Sequence, residues 1–161
     1  MMAVGKTTIG KLVAKKEGLK FIDTDKSIEK KFAMKISEIF KEKGENFFRT
    51  EEKKETLRSL NKVNCVIAIG GGAFMNKIIR NTILKKSVSI WLDVNLITLD
   101  KRIKWNKNRP LLSDEKDSKK RITELYNKRK NIYKLADYRI SCDNLSKENI
   151  VNEIVNFYKN E

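Results

Sequence analysis

The chain has 161 residues, 40% of them hydrophobic and 35% charged, with 36 Lys+Arg against 21 Asp+Glu and a net charge of +15. This is the length and composition of one globular domain with a sizeable core. Histidine is absent and only Cys65 and Cys142 carry thiols, which excludes a Ser-His or Cys-His nucleophile, a zinc site and a disulfide framework.

The first residues read Met1-Met2-Ala3-Val4-Gly5-Lys6-Thr7-Thr8-Ile9-Gly10. Positions 1–7 match the last seven places of the phosphate-loop pattern G-x-x-x-x-G-K-[ST]. In such a loop backbone N–H groups face a β-phosphate, Lys6 bridges β- and γ-phosphates, and the Thr7 hydroxyl reaches Mg²⁺. Gly5 lets backbone approach phosphate with no Cβ in the way. A helical pattern then runs from Lys6 to Lys16, and Leu19 to Ile22 reads as a short strand.

Asp23-Thr24-Asp25 follows that strand, where one carboxylate can serve metal-bound phosphates and the other an acceptor hydroxyl. A second reading makes Asp23 or Asp25 simply the cap of the helix from Lys26 to Phe32. Helical patterns continue from Ile36 to Lys43 and from Glu45 to Leu60, with Arg49 and Glu52 spaced to pair on one face. Cys65 to Ile69 is an unbroken apolar run, expected as a buried strand, that ends at Gly70-Gly71-Gly72. Three glycines at a strand's carboxyl end allow backbone amides to approach a ligand closely. Cys65 and Cys142 are read as packing residues.

A helix from Lys77 to Lys86 leads to a strand over Ser87 to Leu92 and a helix from Leu96 to Trp105. The polar run Asn106 to Asp114 contains Arg109 and the chain's one proline, Pro110, and suits a lid that closes over a transferring phosphoryl group. A helix from Lys116 to Ala136 carries Arg129; a weaker strand, Tyr138 to Ser141, and a helix from Lys147 to Tyr158 complete the chain. Strands alternating with helices argue for an α/β fold with a parallel sheet, helices on both faces and ligands at the strands' carboxyl ends. The lysines outnumber the arginines 28 to 8 and are scattered, so most of the charge reads as a solvated surface. The few arginines are the better functional candidates.

These motifs together resemble the shikimate kinase family, P-loop enzymes of the nucleoside monophosphate kinase-like group, over essentially all of residues 1–161. The likeness rests on Gly5-Lys6-Thr7-Thr8-Ile9-Gly10, Asp23-Thr24-Asp25, Ile39-Phe40 through Gly44-Glu45 to Phe48-Arg49-Thr50-Glu51-Glu52, Gly70-Gly71-Gly72, Arg109-Pro110-Leu111-Leu112, and Arg129 with Tyr133 and Ala136. The resemblance implies ATP-dependent phosphorylation of the 3-hydroxyl of shikimate in the cytoplasm by a monomer, with Mg²⁺ as cofactor and no nucleic-acid or membrane partner. By the same resemblance, Asp25, Arg49, Gly71, Gly72 and Arg129 hold shikimate, with Asp25 orienting or deprotonating its hydroxyl. Phe40 and Phe48 wall its pocket. Val4, Gly5, Lys6, Thr7, Thr8, Arg102 and Arg109 bind ATP, Lys6 and Arg109 stabilise the transferring phosphoryl group, Thr7 ligates Mg²⁺, and Asp23 contacts it through water.

The implied organisation is a single kinase domain. Its phosphate loop and core span 1–23, 61–104 and 117–161, its shikimate-binding segment 24–60 and its lid 105–116. The family's parallel sheet has strand order 2-3-1-4-5, and no residues here supply its first strand or the first glycine of the loop. The expectation is therefore that residue 1 is not the start of the functional protein. Two other functions fit parts of the pattern: a related kinase, such as one for gluconate, and a non-catalytic nucleotide- or RNA-binding module using the +15 charge.

Overall fold

A computed structural model describes residues 1–104 and 115–160. Helix α1 (Lys6–Lys16) starts directly after Gly5, whose φ of 96° is a left-handed value that favours glycine. Strand β1 (Lys20–Asp23) runs into α2 (Thr24–Phe32), and Asp23 caps that helix by accepting the Lys26 amide at 3.2 Å. Helix α3 (Ile36–Ser59) is broken at Gly44, where φ is 80° and ψ is 167°. The break falls between the two helical segments legible in the sequence. Strand β2 (Cys65–Ala68) leads through the glycine triplet and a short 3₁₀ turn (Ala73–Met75) into α4 (Lys77–Lys86). Asn76 caps α4 by accepting the amides of Ile78 and Ile79. Strand β3 (Ile90–Asp93), α5 (Leu96–Lys104), α6 (Glu115–Tyr133), β4 (Tyr138–Ser141) and α7 (Lys147–Lys159) follow, with Ser146 capping α7.

The four strands form two separate parallel pairs. β1 lies beside β2 with Asp23 opposite Ala68, and β3 lies beside β4 with Asp93 opposite Ser141. Among the described residues β2 and β3 do not pair with each other, and a cavity of about 560 Å³ lies between them. Its walls are β2 and β3, with α1 and α7 side chains such as Val13 and Ile154 closing it. One expectation is corrected. The run from Cys65 to Ile67 is only half-buried, because one edge of β2 faces the cavity. Cys142 is buried and packs in the core, whereas Cys65 is half-buried.

The apolar side chains divide into two cores. The main one joins α1, α4, α5, α6, α7 and the strands through residues such as Ile9, Ile79, Leu99, Ile122 and Ile140. A smaller one gathers Ile28, Ile39 and Phe48 between α2 and α3, with Phe32, Met34, Ile36, Phe40 and Phe47 packed against it. The small core fixes the segment that carries Arg49. No described helix is long and apolar enough to cross a membrane.

Candidate active site

The site forms where the carboxyl ends of β1 and β2 meet the loop before α1. In the loop Ala3 and Gly5 both take positive φ values, 57° and 96°, which turn the chain sharply into the helix. The Lys6 ammonium donates to the Met1 carbonyl at 2.7 Å. The Thr7 hydroxyl donates to Asp23 Oδ2 at 2.7 Å, so the two groups expected near Mg²⁺ are already adjacent. Asp23 thus fulfils both readings made of it: Oδ1 caps α2 while Oδ2 faces Thr7. A polar cavity of about 100 Å³ lies among Ala3, Lys6, Thr7, Asp23, Asp25 and Gly71.

Asp25 lies in the first turn of α2 with its carboxyl turned inward. Its Oδ1 is buried and has no hydrogen-bond partner in the structure. Burial pushes its pKa up to about 6; Lys6 opposes the rise, and Glu52, Asp23 and Glu29 add to it. This is a carboxyl poised to exchange a proton near neutral pH.

Arg49, on the second half of α3, donates to Glu52 Oε2 at 2.8 Å and to Glu45 Oε1 at 3.1 Å. Glu52 is 3% exposed, so this is a supported ion pair rather than a loose surface one. The guanidinium also lies 5.3 Å from the Phe48 ring centre and 5.8 Å from that of Phe40. Burial works against its charge, but the two glutamates outweigh burial and hold its pKa above the ordinary value.

Two of the three glycines sit where a side chain would crowd the site. A Cβ on Gly70 would lie 2.7 Å from Asp25 Oδ1 and collide with Glu52, and one on Gly72 would lie 2.5 Å from Arg49 Nη1. Arg129, on α6, donates to the Gly71 carbonyl at 3.2 Å, so this helix charge faces the site and not solvent alone. Lys6, Asp25, Arg49, Gly71, Gly72 and Arg129 therefore converge on one sheet edge. Arg102 donates to the Ala3 carbonyl at 3.5 Å, beside the loop that holds Val4 and leads to Thr8 in α1. Arg109 and most of the expected lid lie outside the described residues.

Two site residues carried no functional reading from sequence. Thr24 is fully buried; its hydroxyl accepts the Gly70 amide at 3.2 Å and donates to the Ala68 carbonyl at 3.4 Å. The Tyr133 hydroxyl donates to the Gly71 carbonyl and accepts from the Met1 amine at 3.1 Å. Their only sequence signal was membership in the patterns around Asp23–Asp25 and Arg129.

The Thr7 hydroxyl and the Asp23 carboxylate are hard oxygen donors suited to a magnesium ion that draws its other ligands from phosphate and water. Among the described residues no cluster of three or more His, Cys, Asp or Glu could cage a metal by itself.

Residues 2–159 match the model of a family described as shikimate kinase. The shikimate kinase of Persephonella marina is 44% identical over 154 residues, covering 96% of this chain and 92% of that protein. That of Sulfurihydrogenibium sp. is 42% identical over 154 residues, covering 96% and 91%. Among solved structures, shikimate kinase from Acinetobacter baumannii in complex with shikimate superposes with a TM-score of 0.92 at 29% identity, covering 99% of this chain and 89% of that one. Shikimate kinase from Aquifex aeolicus superposes with a TM-score of 0.85 at 30% identity, covering 99% and 92%.

Proposed function

The chain belongs to the shikimate kinase family, and from that premise we propose that it transfers the γ-phosphoryl group of ATP to the 3-hydroxyl of shikimate, giving shikimate 3-phosphate and ADP. The observation that carries this reading is the meeting of Lys6, Thr7 and Asp23 with Asp25, Arg49, Arg129 and the glycine triplet at one sheet edge. An acceptor that is both a polyol and a carboxylate calls for this set: arginines for the acid and a carboxylate for the hydroxyl.

Arg49 and Arg129 clamp the acceptor carboxylate, and Glu52 and Glu45 hold Arg49 in place. Phe40 and Phe48 wall the pocket beside it. Asp25 accepts a hydrogen bond from the acceptor hydroxyl and takes its proton as the oxygen attacks. Gly71 and Gly72 let the acceptor approach the backbone. The Lys6 ammonium leaves the Met1 carbonyl to meet the phosphates, and Val4, Gly5 and Thr8 line their cradle. Arg102 lies against the nucleotide base. Lys6 and Arg109 stabilise the charge on the transferring group, and the lid that carries Arg109 excludes water. Thr7 and, through water, Asp23 would hold Mg²⁺, which would neutralise phosphate charge. In this reading the enzyme acts as a monomer in the cytoplasm, with no nucleic-acid or membrane partner.

ADP release measured with shikimate and, separately, with gluconate tests the reading. Turnover dependent on shikimate supports it. Turnover with gluconate alone, or salt-sensitive RNA binding with no turnover on either acid, would replace it.

A further inference from the structure

Asp93 has no role in the proposed reaction, yet it is a buried charge on which three elements meet. It ends β3 and is 6% exposed. Arg139, on β4, donates to its Oδ2 from Nε at 2.9 Å and from Nη2 at 2.7 Å. The same guanidinium lies 5.1 Å from the Trp91 ring centre. Two charge-assisted bonds on one oxygen fix the carboxylate plane and leave Oδ1 for another donor. That donor is the Tyr126 hydroxyl of α6, at 3.1 Å. Burial and the Asp93 charge push the Tyr126 pKa above its ordinary value, so the phenol keeps the proton it donates.

Tyr126 precedes Arg129 by three residues and Tyr133 follows it by four, so the three share one face of α6. Tyr133 donates to the Gly71 carbonyl at one end of this stretch, and Tyr126 holds Asp93 at the other. Arg129 stands between these two anchors and reaches the Gly71 carbonyl at 3.2 Å. The apolar contacts of α6, through Ile122, Leu125 and Ile132, hold the helix against the core. Such contacts are non-directional, whereas hydrogen bonds fix an angle. A helix with its side chains is about 5–6 Å in radius, so a roll of about 10° shifts a side-chain tip by about 1 Å. A shift of that size matters to a group that must meet a carboxylate.

We propose that Asp93 and Tyr126 are positioning residues for the acceptor: their bond sets the roll of α6 and so aims Arg129 at the acceptor carboxylate. The proposal rests on the kinase reading and adds to it two groups that touch neither substrate. Arg139 braces Asp93 from the far side, which makes the carboxylate a fixed point for the helix. The effect is specific to the acceptor, because Arg129 is the only charged group of the proposed site that α6 carries among the described residues.

Tyr126→Phe removes the hydroxyl and keeps the ring, and calorimetric titration with shikimate and with ATP reads the result. Shikimate Kd should rise about tenfold and ATP Kd should stay within about twofold. The change should depend on Arg129. In an Arg129→Lys background, which keeps the charge and loses the fork, Tyr126→Phe should alter shikimate Kd by less than about twofold. Asp93→Glu is the second variant. It keeps charge and acceptor but moves the carboxylate by one methylene, so it should raise shikimate Kd in the same Arg129-dependent way. An unchanged shikimate Kd in both variants, an equal loss with and without Arg129, or an equal loss of ATP binding would overturn the proposal. In each of these cases the unaltered chain still binds shikimate and the kinase reading stands. An unaltered chain that binds no shikimate would overturn both.

Discussion

The Thr24 hydroxyl accepts the Gly70 amide at 3.2 Å, joining the end of β1 to the end of β2 directly behind Asp25. Both groups are buried, so Thr24→Val would leave a buried N–H with no acceptor, at a cost of about 1–3 kcal/mol. The glycine triplet would also lose its anchor. Chemical denaturation should register the loss in Thr24→Val and its recovery in Thr24→Ser, with KM for shikimate moving in parallel.

In the proposed reaction Asp25 acts on the acceptor hydroxyl. Asp25→Asn should therefore lower kcat by roughly 10²–10⁴ while changing ATP affinity little. Steady-state kinetics beside nucleotide titration checks this; an equal loss of ATP binding would contradict the assigned role.

Burial raises the Asp25 pKa from 3.8 to about 6. A base must be deprotonated to work, so kcat/KM for shikimate should fall as pH drops through about 6. Stability should run the other way. The folded state holds its proton more tightly than the unfolded one, so Asp25 lowers stability as pH rises from 3.8 through about 6. In Asp25→Asn the melting temperature should lose that part of its pH dependence, which thermal scans across this window would detect.

A Cβ on Gly72 would sit 2.5 Å from Arg49 Nη1, so a side chain there requires the guanidinium to move. Gly72→Ala should displace the guanidinium and raise KM for shikimate by roughly ten- to a hundredfold, with KM for ATP nearly unchanged. Glu52→Gln should move the same parameter in the same direction, because Arg49 loses its buried partner. A matching rise in KM for ATP in either variant would show that the effect is not confined to the acceptor side.

Burial pushes the Cys142 thiol up to about 11, while Cys65 is half-buried at the start of β2. Iodoacetamide at pH 8 should label Cys65 in the native protein and Cys142 only after denaturation. Peptide mass mapping distinguishes the two sites.

Features that depend on near neighbours in sequence were the legible ones. Gly44 interrupts α3 where one glycine separates two amphipathic segments, and Arg49 meets Glu52 within one helical turn. The motif order located the sheet edge, because parallel strands place successive loops together. Contacts across that edge were not legible. Thr24 and Gly70 are 46 residues apart, and only the register that sets Asp23 opposite Ala68 brings them together. Tyr133 reaches Gly71 across 62 residues for the same kind of reason. The half-burial of Cys65 to Ile67 was misjudged because apolar content alone cannot show which edge of a strand has a partner.

Ile28, Ile39 and Phe48 form a core that draws on different side chains from the main one. The segment from α2 into α3 therefore has its own interior, while Leu57 near the end of α3 packs against the main core. Arg49 and the aromatic wall of Phe40 and Phe48 are thus seated on the smaller core, and the Thr24 to Gly70 bond is a polar link from it to the strand that bears the glycine triplet.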